Sequence, residues 1–169
     1  MRVLVTYADD DGAAEDTAQL IGDTLAEHGL DSTIRKLGTA VSVGGYDAVI
    51  IGSTARFGQW LRPASRFALA QQEGLREMPV WLYSNSYDDP SVPHDPIELG
   101  AVEDALTPRD HRPFAAATAP ATGWSQHALE PDPGEVRGWA HQIAATLQAT
   151  DDQPPTPAAG EPGRRTEPA

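Results

Sequence analysis

The sequence predicts a single α/β domain in which helices cover both faces of a parallel sheet. Three observations lead to this prediction. Apolar runs of strand length alternate with stretches whose apolar residues recur at helical spacing. The run at residues 48–51 is apolar at every position, which is typical of a parallel strand buried on both faces. The chain has 169 residues, the size of one domain.

The first third of the chain predicts a strand, a helix and a second strand. Residues 2–7 are apolar or β-branched at most positions, and an acidic turn ending at Gly12 follows them. An amphipathic helix comes next, because apolar residues recur at helical spacing at Ala14, Ala18, Ile21 and Leu25. His28 and Gly29 end this helix, and residues 31–37 alternate as a strand.

The middle of the chain predicts the third strand, a helix and the fourth strand. Strand three is the apolar run at residues 48–51, and a loop from Ser53 to Trp60 follows it. Pro63 is tolerated in the first turn of the next helix. The buried face of that helix is predicted to comprise Trp60, Ala64, Phe67 and Ala68. Residues 79–84 form strand four, and a polar loop follows.

The last third predicts a helix at residues 97–106, a fifth strand at 111–118 and a closing helix. The closing helix is indicated by Asp132 as N-cap and Pro133 at the first helical position. The final twenty residues are rich in Pro, Gly and charge and have no apolar period, which is typical of disorder. We therefore predict one domain over residues 1–149 and a disordered, Pro-rich C-terminal tail over residues 150–169.

Composition and charge exclude several classes of function. The chain has no cysteine, which excludes disulfides and thiolate nucleophiles, and Lys36 is its only lysine. A formal net charge of -13 opposes binding to nucleic acid. No apolar run is long enough to span a membrane, and the N-terminal apolar stretch is too short for a secretory signal. We expect a cytoplasmic protein with no integral membrane segment and no nucleic-acid partner.

Ligands of doubly wound sheets bind outside the carboxyl ends of the strands. Three predicted loops would meet at that edge, at residues 8–14, 53–60 and 84–90.

Several motifs in this order resemble the flavodoxin superfamily, and especially the bacterial branch that includes menaquinone-dependent protoporphyrinogen oxidase. These motifs are Val-Leu-Val-Thr-Tyr-Ala at residues 3–8 with Gly12, and the stretches 46–53, 58–61 and 79–84. The resemblance covers residues 1–149. It implies a three-layer, flavodoxin-like, doubly wound sheet of five parallel strands in the order 2-1-3-4-5.

The resemblance also implies that the protein binds FMN and transfers electrons, or is an FMN-dependent oxidoreductase, with a redox protein or a quinone as partner. The isoalloxazine ring would lie between the second and third loops. No catalytic side chain and no metal ligand is implied. The cofactor-binding positions carried over are Asp9, Asp10, Asp11, Gly12, Ala13, Ala14, Ser53, Thr54, Ala55, Arg56, Phe57, Gly58, Trp60, Ser84, Asn85, Ser86 and Tyr87.

The first loop departs from the family pattern at the phosphate. Flavodoxins place Ser or Thr hydroxyls there, whereas Asp9 and Asp11 stand at hydroxyl positions and Ala14 has no donor. A like-charge pair at about 4 Å costs about 4 kcal/mol at an effective dielectric of 20, and a helix dipole offsets only about 0.3–2 kcal/mol. The acidic loop is therefore predicted to weaken FMN binding.

Other interpretations of the acidic loop remain open. The carboxylates could cap the following helix, or could bind a divalent cation that bridges to a phosphate. The chain could also be a flavin-free interaction module that retains the scaffold. A haloacid-dehalogenase-like, Mg-dependent phosphatase is a further alternative, although the lysine that it needs is missing. The residues that imitate a phosphatase site are Asp9, Asp11, Gly12, Ser53 or Thr54, Asp88 and Asp89.

Overall fold

The computed structural model describes residues 1–10, 12–38, 40–56, 59–86, 97–115 and 131–151. The strands are β1 (Arg2–Ala8), β2 (Asp31–Lys36), β3 (Ala48–Arg56), β4 (Gln59–Trp60), β5 (Val80–Ser86) and β6 (Asp110–Ala115). The helices are α1 (Ala13–Glu27), α2 (Arg62–Ala70), α3 (Gln72–Arg76), α4 (Ile97–Leu106) and α5 (Pro133–Asp151).

The sheet has the predicted topology. Its parallel strands run in the order β2-β1-β3-β5-β6, with helices on both faces. Counted along the chain without the two-residue strand β4, this is the order 2-1-3-4-5, so the predicted flavodoxin-like α/β fold is confirmed. Strand β4 was not predicted. It pairs antiparallel with the end of β3, where Ala55 lies opposite Trp60.

The core has two layers, one on each face of the sheet. Helices α1 and α5 cover one face, and all four apolar residues predicted to face inward from α1 are fully buried. Helices α2 and α4 cover the other face, with Ala64 and Ala68 buried as predicted. Both layers contain side chains from the middle strand β3, because Ile50 packs into the first layer and Ile51 into the second.

Several element boundaries differ from the prediction. The predicted helix after Trp60 is interrupted at Gln71 and forms α2 and α3. Helix α5 begins as predicted, since Asp132 Oδ1 accepts the Gly134 N–H at 2.7 Å. It continues to Asp151, so the first two residues of the predicted tail are helical. The rest of that tail, residues 152–169, and residues 116–118 of the predicted fifth strand lie outside the described residues. None of the helices in the described ranges has the length and apolarity needed to cross a membrane.

A glycine in β3 leaves room for a large side chain of β5 to extend over β3 on one face of the sheet. Tyr83 is fully buried, and its hydroxyl donates to the Ala14 carbonyl in the first turn of α1 at 2.9 Å. A Cβ atom on Gly52 would overlap the Tyr83 ring. Glycine at position 52 is therefore required for the contact that joins β5 to the start of α1.

We expect Gly52→Ala to destabilise the protein by about 3 kcal/mol, at the upper end of overpacking costs, because the ring of Tyr83 is enclosed on all sides. Gly100→Ala in α4 is the matched control, since a Cβ there meets no atom within 4 Å. The control should gain about 0.5–1 kcal/mol from helix propensity. Urea unfolding curves measure both changes, and equal stability of the two variants would contradict the prediction.

Candidate functional site

The candidate site lies at the carboxyl ends of β1, β3 and β5. The chain leaves β1 towards β2 on one side, and β3 lies on the other side of β1, so the strand order reverses between β1 and β3. In the register of the sheet Ala8 pairs with Ser53, and Ser53 pairs with Ser84. The ends of the three strands are therefore neighbours at the point where ligands of doubly wound sheets bind.

The second and third predicted loops begin later than predicted. Ser53 continues β3, which ends at Arg56, and Ser84 continues β5, which ends at Ser86. The prediction that a loop begins at Ser53 is wrong, because parallel pairing of β3 with β5 extends to Ala55 and Ser86. Ser84 is a strand residue, as the predicted strand at residues 79–84 has it, but the loop after it begins later than predicted. Ser53, Thr54, Ala55, Ser84 and Asn85 are buried strand residues. Asp11, Phe57, Gly58 and Tyr87 lie outside the described residues.

Asp9 binds the N-terminus of α1 with both carboxylate oxygens. Its Oδ1 accepts the Gly12 N–H at 2.8 Å, and its Oδ2 accepts the Glu15 N–H at 2.8 Å. Gly12 has φ 104°, a left-handed conformation that suits glycine and turns the chain into the helix. These hydrogen bonds support the interpretation of the acidic loop as a helix cap, since the first N–H groups of a helix have no partner within it.

The negative charge of this loop affects two tyrosines beneath it. Burial raises the pKa of Tyr7, and a hydrogen bond to Glu15 and the charges of Glu15 and Asp9 raise it further. Burial raises the pKa of Tyr83 well above its usual value, with Asp9 and then Tyr7 adding to the effect. Both phenols are therefore neutral at neutral pH, and their surroundings oppose additional negative charge.

Two buried polar atoms at this edge have no hydrogen-bond partner. They are Thr54 Oγ1 and Asn85 Oδ1, which belong to register partners on β3 and β5. Asn85 Nδ2 donates to the Ala13 carbonyl at 3.3 Å and to Thr17 Oγ1 at 2.9 Å, which places this amide under the first turn of α1. Buried polar atoms are almost always paired in folded proteins. The pair therefore indicates a place for a polar ligand or an ordered water.

A chain of hydrogen bonds occupies the opposite face of the same strand ends. Trp60 Nε1 donates to Ser84 Oγ at 2.7 Å, and Ser84 Oγ lies 2.8 Å from His111 Nε2. His111 Nδ1 in turn lies 2.8 Å from Glu103 Oε1. Trp60 and Ser84 are among the predicted cofactor-binding positions, but their connection to His111 and Glu103 was not predicted, because these two residues belong to other elements and no spacing links them.

The hydrogen bonds from Ser84 through His111 to Glu103 follow the order of nucleophile, base and orienting acid that serine hydrolases use. Ser84 is only 4% exposed, however, and its oxygen also accepts the Trp60 N–H. Burial lowers the pKa of His111, and this outweighs the opposing effects of Glu103 and Asp110. A neutral His111 accepts a hydrogen bond from the Ser84 hydroxyl at Nε2 and donates one from Nδ1 to the Glu103 carboxylate. The arrangement thus joins β4, β5, β6 and α4.

We expect Ser84→Ala to cost about 1–3 kcal/mol of stability, because it leaves the buried Trp60 N–H without its acceptor. Ser65→Ala is the control, since the Ser65 hydroxyl is buried and has no partner to lose. Its removal should be neutral or slightly stabilising. Thermal unfolding of both variants distinguishes a structural link from a passive hydroxyl, and equal melting temperatures would count against the link.

His111 should make stability depend on pH. Burial lowers the pKa of His111 in the folded protein, so the unfolded chain binds a proton more readily. The contribution of neutral His111 to stability is therefore fully present above about pH 6.5, the pKa of histidine in the unfolded chain. Stability should then fall as the pH drops below 6.5 towards the folded pKa. Denaturant midpoints between about pH 7.5 and 5.5 measure this slope. His111→Gln should flatten it, and an unchanged slope would show that other groups are responsible.

A family model for the flavodoxin domain matches residues 4–115. The chain belongs to the flavodoxin domain family. The matched span begins in β1 and ends with β6, so all three strand ends of the candidate site lie within it. No curated protein sequence matches the chain.

Solved structures share the fold at low sequence identity. An archaeal flavodoxin has a TM-score of 0.65 and 13% identity, covering 88% of this chain and 99% of its own. Oxidised flavodoxin 1 from Bacillus cereus has a TM-score of 0.61, 14% identity and coverages of 88% and 98%. Rubredoxin oxygen:oxidoreductase from the anaerobe Desulfovibrio gigas has a TM-score of 0.67 and 15% identity. The match covers 90% of this chain but only 37% of that protein.

The first loop does not fit the phosphate of FMN, the cofactor that the resemblance implies. The N–H groups of Gly12 and Glu15 are already bonded to the Asp9 carboxylate, and Ala14 has a methyl group, which donates no hydrogen bond. A cation could compensate, but within the described ranges no three acidic or histidine side chains are grouped to hold a metal ion. Asp11, which belonged to the cation hypothesis, is outside those ranges.

Proposed function

We propose that this protein binds a flavin at the carboxyl ends of β1, β3 and β5 and acts in electron transfer or as an oxidoreductase. The observation that carries the proposal is the reversal of strand order between β1 and β3 in a chain of the flavodoxin family. The unpartnered Thr54 and Asn85 atoms at the same edge support it, because they offer a ligand two polar contacts.

A bound flavin would supply the redox chemistry, and the role proposed for the protein is to hold it and to control what reaches it. We therefore propose no catalytic side chain. The narrower resemblance to the protoporphyrinogen-oxidase-like branch makes a quinone or a redox protein the proposed electron partner. The net charge of -13 favours a partner with a basic docking surface.

Flavin binding can be tested on freshly purified protein. We expect the visible absorbance of oxidised flavin, or quenching of flavin fluorescence when riboflavin or FMN is added. Protein that is colourless and quenches neither flavin would contradict the proposal.

A sharper test uses Thr54→Val, which replaces an unpartnered hydroxyl by a methyl group of the same shape. We expect unchanged thermal stability without flavin and about tenfold weaker flavin binding, the effect of one lost hydrogen bond. Ser65→Ala removes another unpartnered hydroxyl in α2, on the face of the sheet opposite Thr54, and should change neither property. Unchanged affinity in Thr54→Val would place the flavin away from the β3 end.

A flavin-free interaction module is the second candidate. The capping of α1 by Asp9 favours it, because a domain that satisfies this helix end internally needs no phosphate there. No described residue favours the phosphatase interpretation, whose Asp88 and Asp89 lie outside the described ranges.

A further inference from the structure

The N-terminus of α1 binds an anionic group of the protein itself, the carboxylate of Asp9. The two Asp9 oxygens accept separate N–H groups, from Gly12 before the helix and from Glu15 within its first turn. Such N–H groups are the ones that bind phosphates at helix N-termini, since they have no partner in the helix and face the positive end of its dipole. The carboxylate therefore has the position and the charge of a bound phosphate.

A phosphate from outside would have to displace this carboxylate or lie beside it. Displacement breaks two charge-assisted hydrogen bonds, each 2.8 Å long. Binding beside it places a dianion next to the Asp9 carboxylate and close to Glu15, whose N–H group is bonded to Asp9. Both routes oppose a ligand phosphate, and neither opposes an uncharged ligand.

The unpartnered atoms beside the loop favour a ligand with hydroxyl groups. Asn85 Nδ2 is committed to Ala13 and Thr17, so the amide orientation is fixed by its hydrogen bonds and Oδ1 remains as an acceptor. The Asn85 Oδ1 acceptor can bind only a hydrogen-bond donor. A hydroxyl of a sugar alcohol is a donor, whereas a dianionic phosphate has no proton to donate. Thr54 Oγ1 can accept from or donate to such a hydroxyl.

We propose that Asp9 substitutes for the cofactor phosphate, so that the site takes a phosphate-free flavin, an isoalloxazine carrying a neutral polyol chain, at least as well as FMN. This inference rests on the proposed flavin site. It makes Asp9 the residue that determines specificity between the two ligands, through its bonds to the start of α1.

The test compares riboflavin and FMN by fluorescence quenching with the native protein, Asp9→Ser and Asp23→Asn. The native protein should bind riboflavin as tightly as FMN or more tightly. Asp9→Ser removes the internal anion and supplies a hydroxyl, and it should shift the affinity ratio towards FMN by at least about tenfold. Asp23→Asn removes one charge from the other end of α1 and should leave the ratio unchanged. A native preference for FMN above about tenfold, or an unchanged ratio in Asp9→Ser, would overturn the inference.

A second measurement does not depend on flavin. Inorganic phosphate titrated into the ¹⁵N-labelled native protein should leave the amide signals of Gly12 and Glu15 in place, and it should shift them in Asp9→Ser. Native signals that move with phosphate would show that the helix end is open and would overturn the inference. If neither flavin binds the native protein but the amide signals behave as expected, the proposed function fails while the role of Asp9 stands.

Discussion

The geometry of the candidate site depends on the placement of the first turn of α1. Asp9 holds the N–H groups of this turn from the loop side. Tyr83 and Asn85 hold its carbonyl groups from the sheet side, through Ala14 and Ala13. The contact of Tyr83 reaches across β3 only because Gly52 has no side chain. The strand ends and the helix end are thus fixed relative to each other by a few polar bonds, of which those from the sheet side are buried.

The two faces of the sheet contribute differently at this edge. On the face of α2 and α4, hydrogen bonds run from Trp60 through Ser84 and His111 to Glu103. The side-chain nitrogen and oxygen atoms that form these bonds all have partners. On the face of α1 and α5, Thr54 and Asn85 retain unused hydrogen-bonding capacity. Fully satisfied polar networks make a structure rigid, whereas partly satisfied ones mark places that can accept a ligand. The geometry therefore favours the α1 face as the ligand side.

Much of the fold could be predicted from the sequence, because periodicity is a local signal. The inward residues of α1, the bounds of α4 and the cap at Asp132 follow from patterns within a few residues. The ends of β3 and β5 could not be predicted, since Ser53 and Asn85 have loop-like composition and become strand residues only through pairing with distant neighbours. Strand β4 has only two residues, too few to show the alternation of apolar and polar residues that predicts a strand. The acidic loop was recognisable from the sequence as the unusual feature of the site. Its role as a cap or as a ligand site was not, because that choice depends on the orientation of one side chain.

The bonds of Asp9 to α1 have a consequence for competition between ligands. The carboxylate is only three residues along the chain from Gly12, so it is held beside these N–H groups by the chain, whereas an anion from solution must lose its translational freedom to bind there. Buffer phosphate, sulfate and nucleotides all compete at this disadvantage. The start of α1 therefore has its anion in place whatever phosphorylated compounds surround the protein.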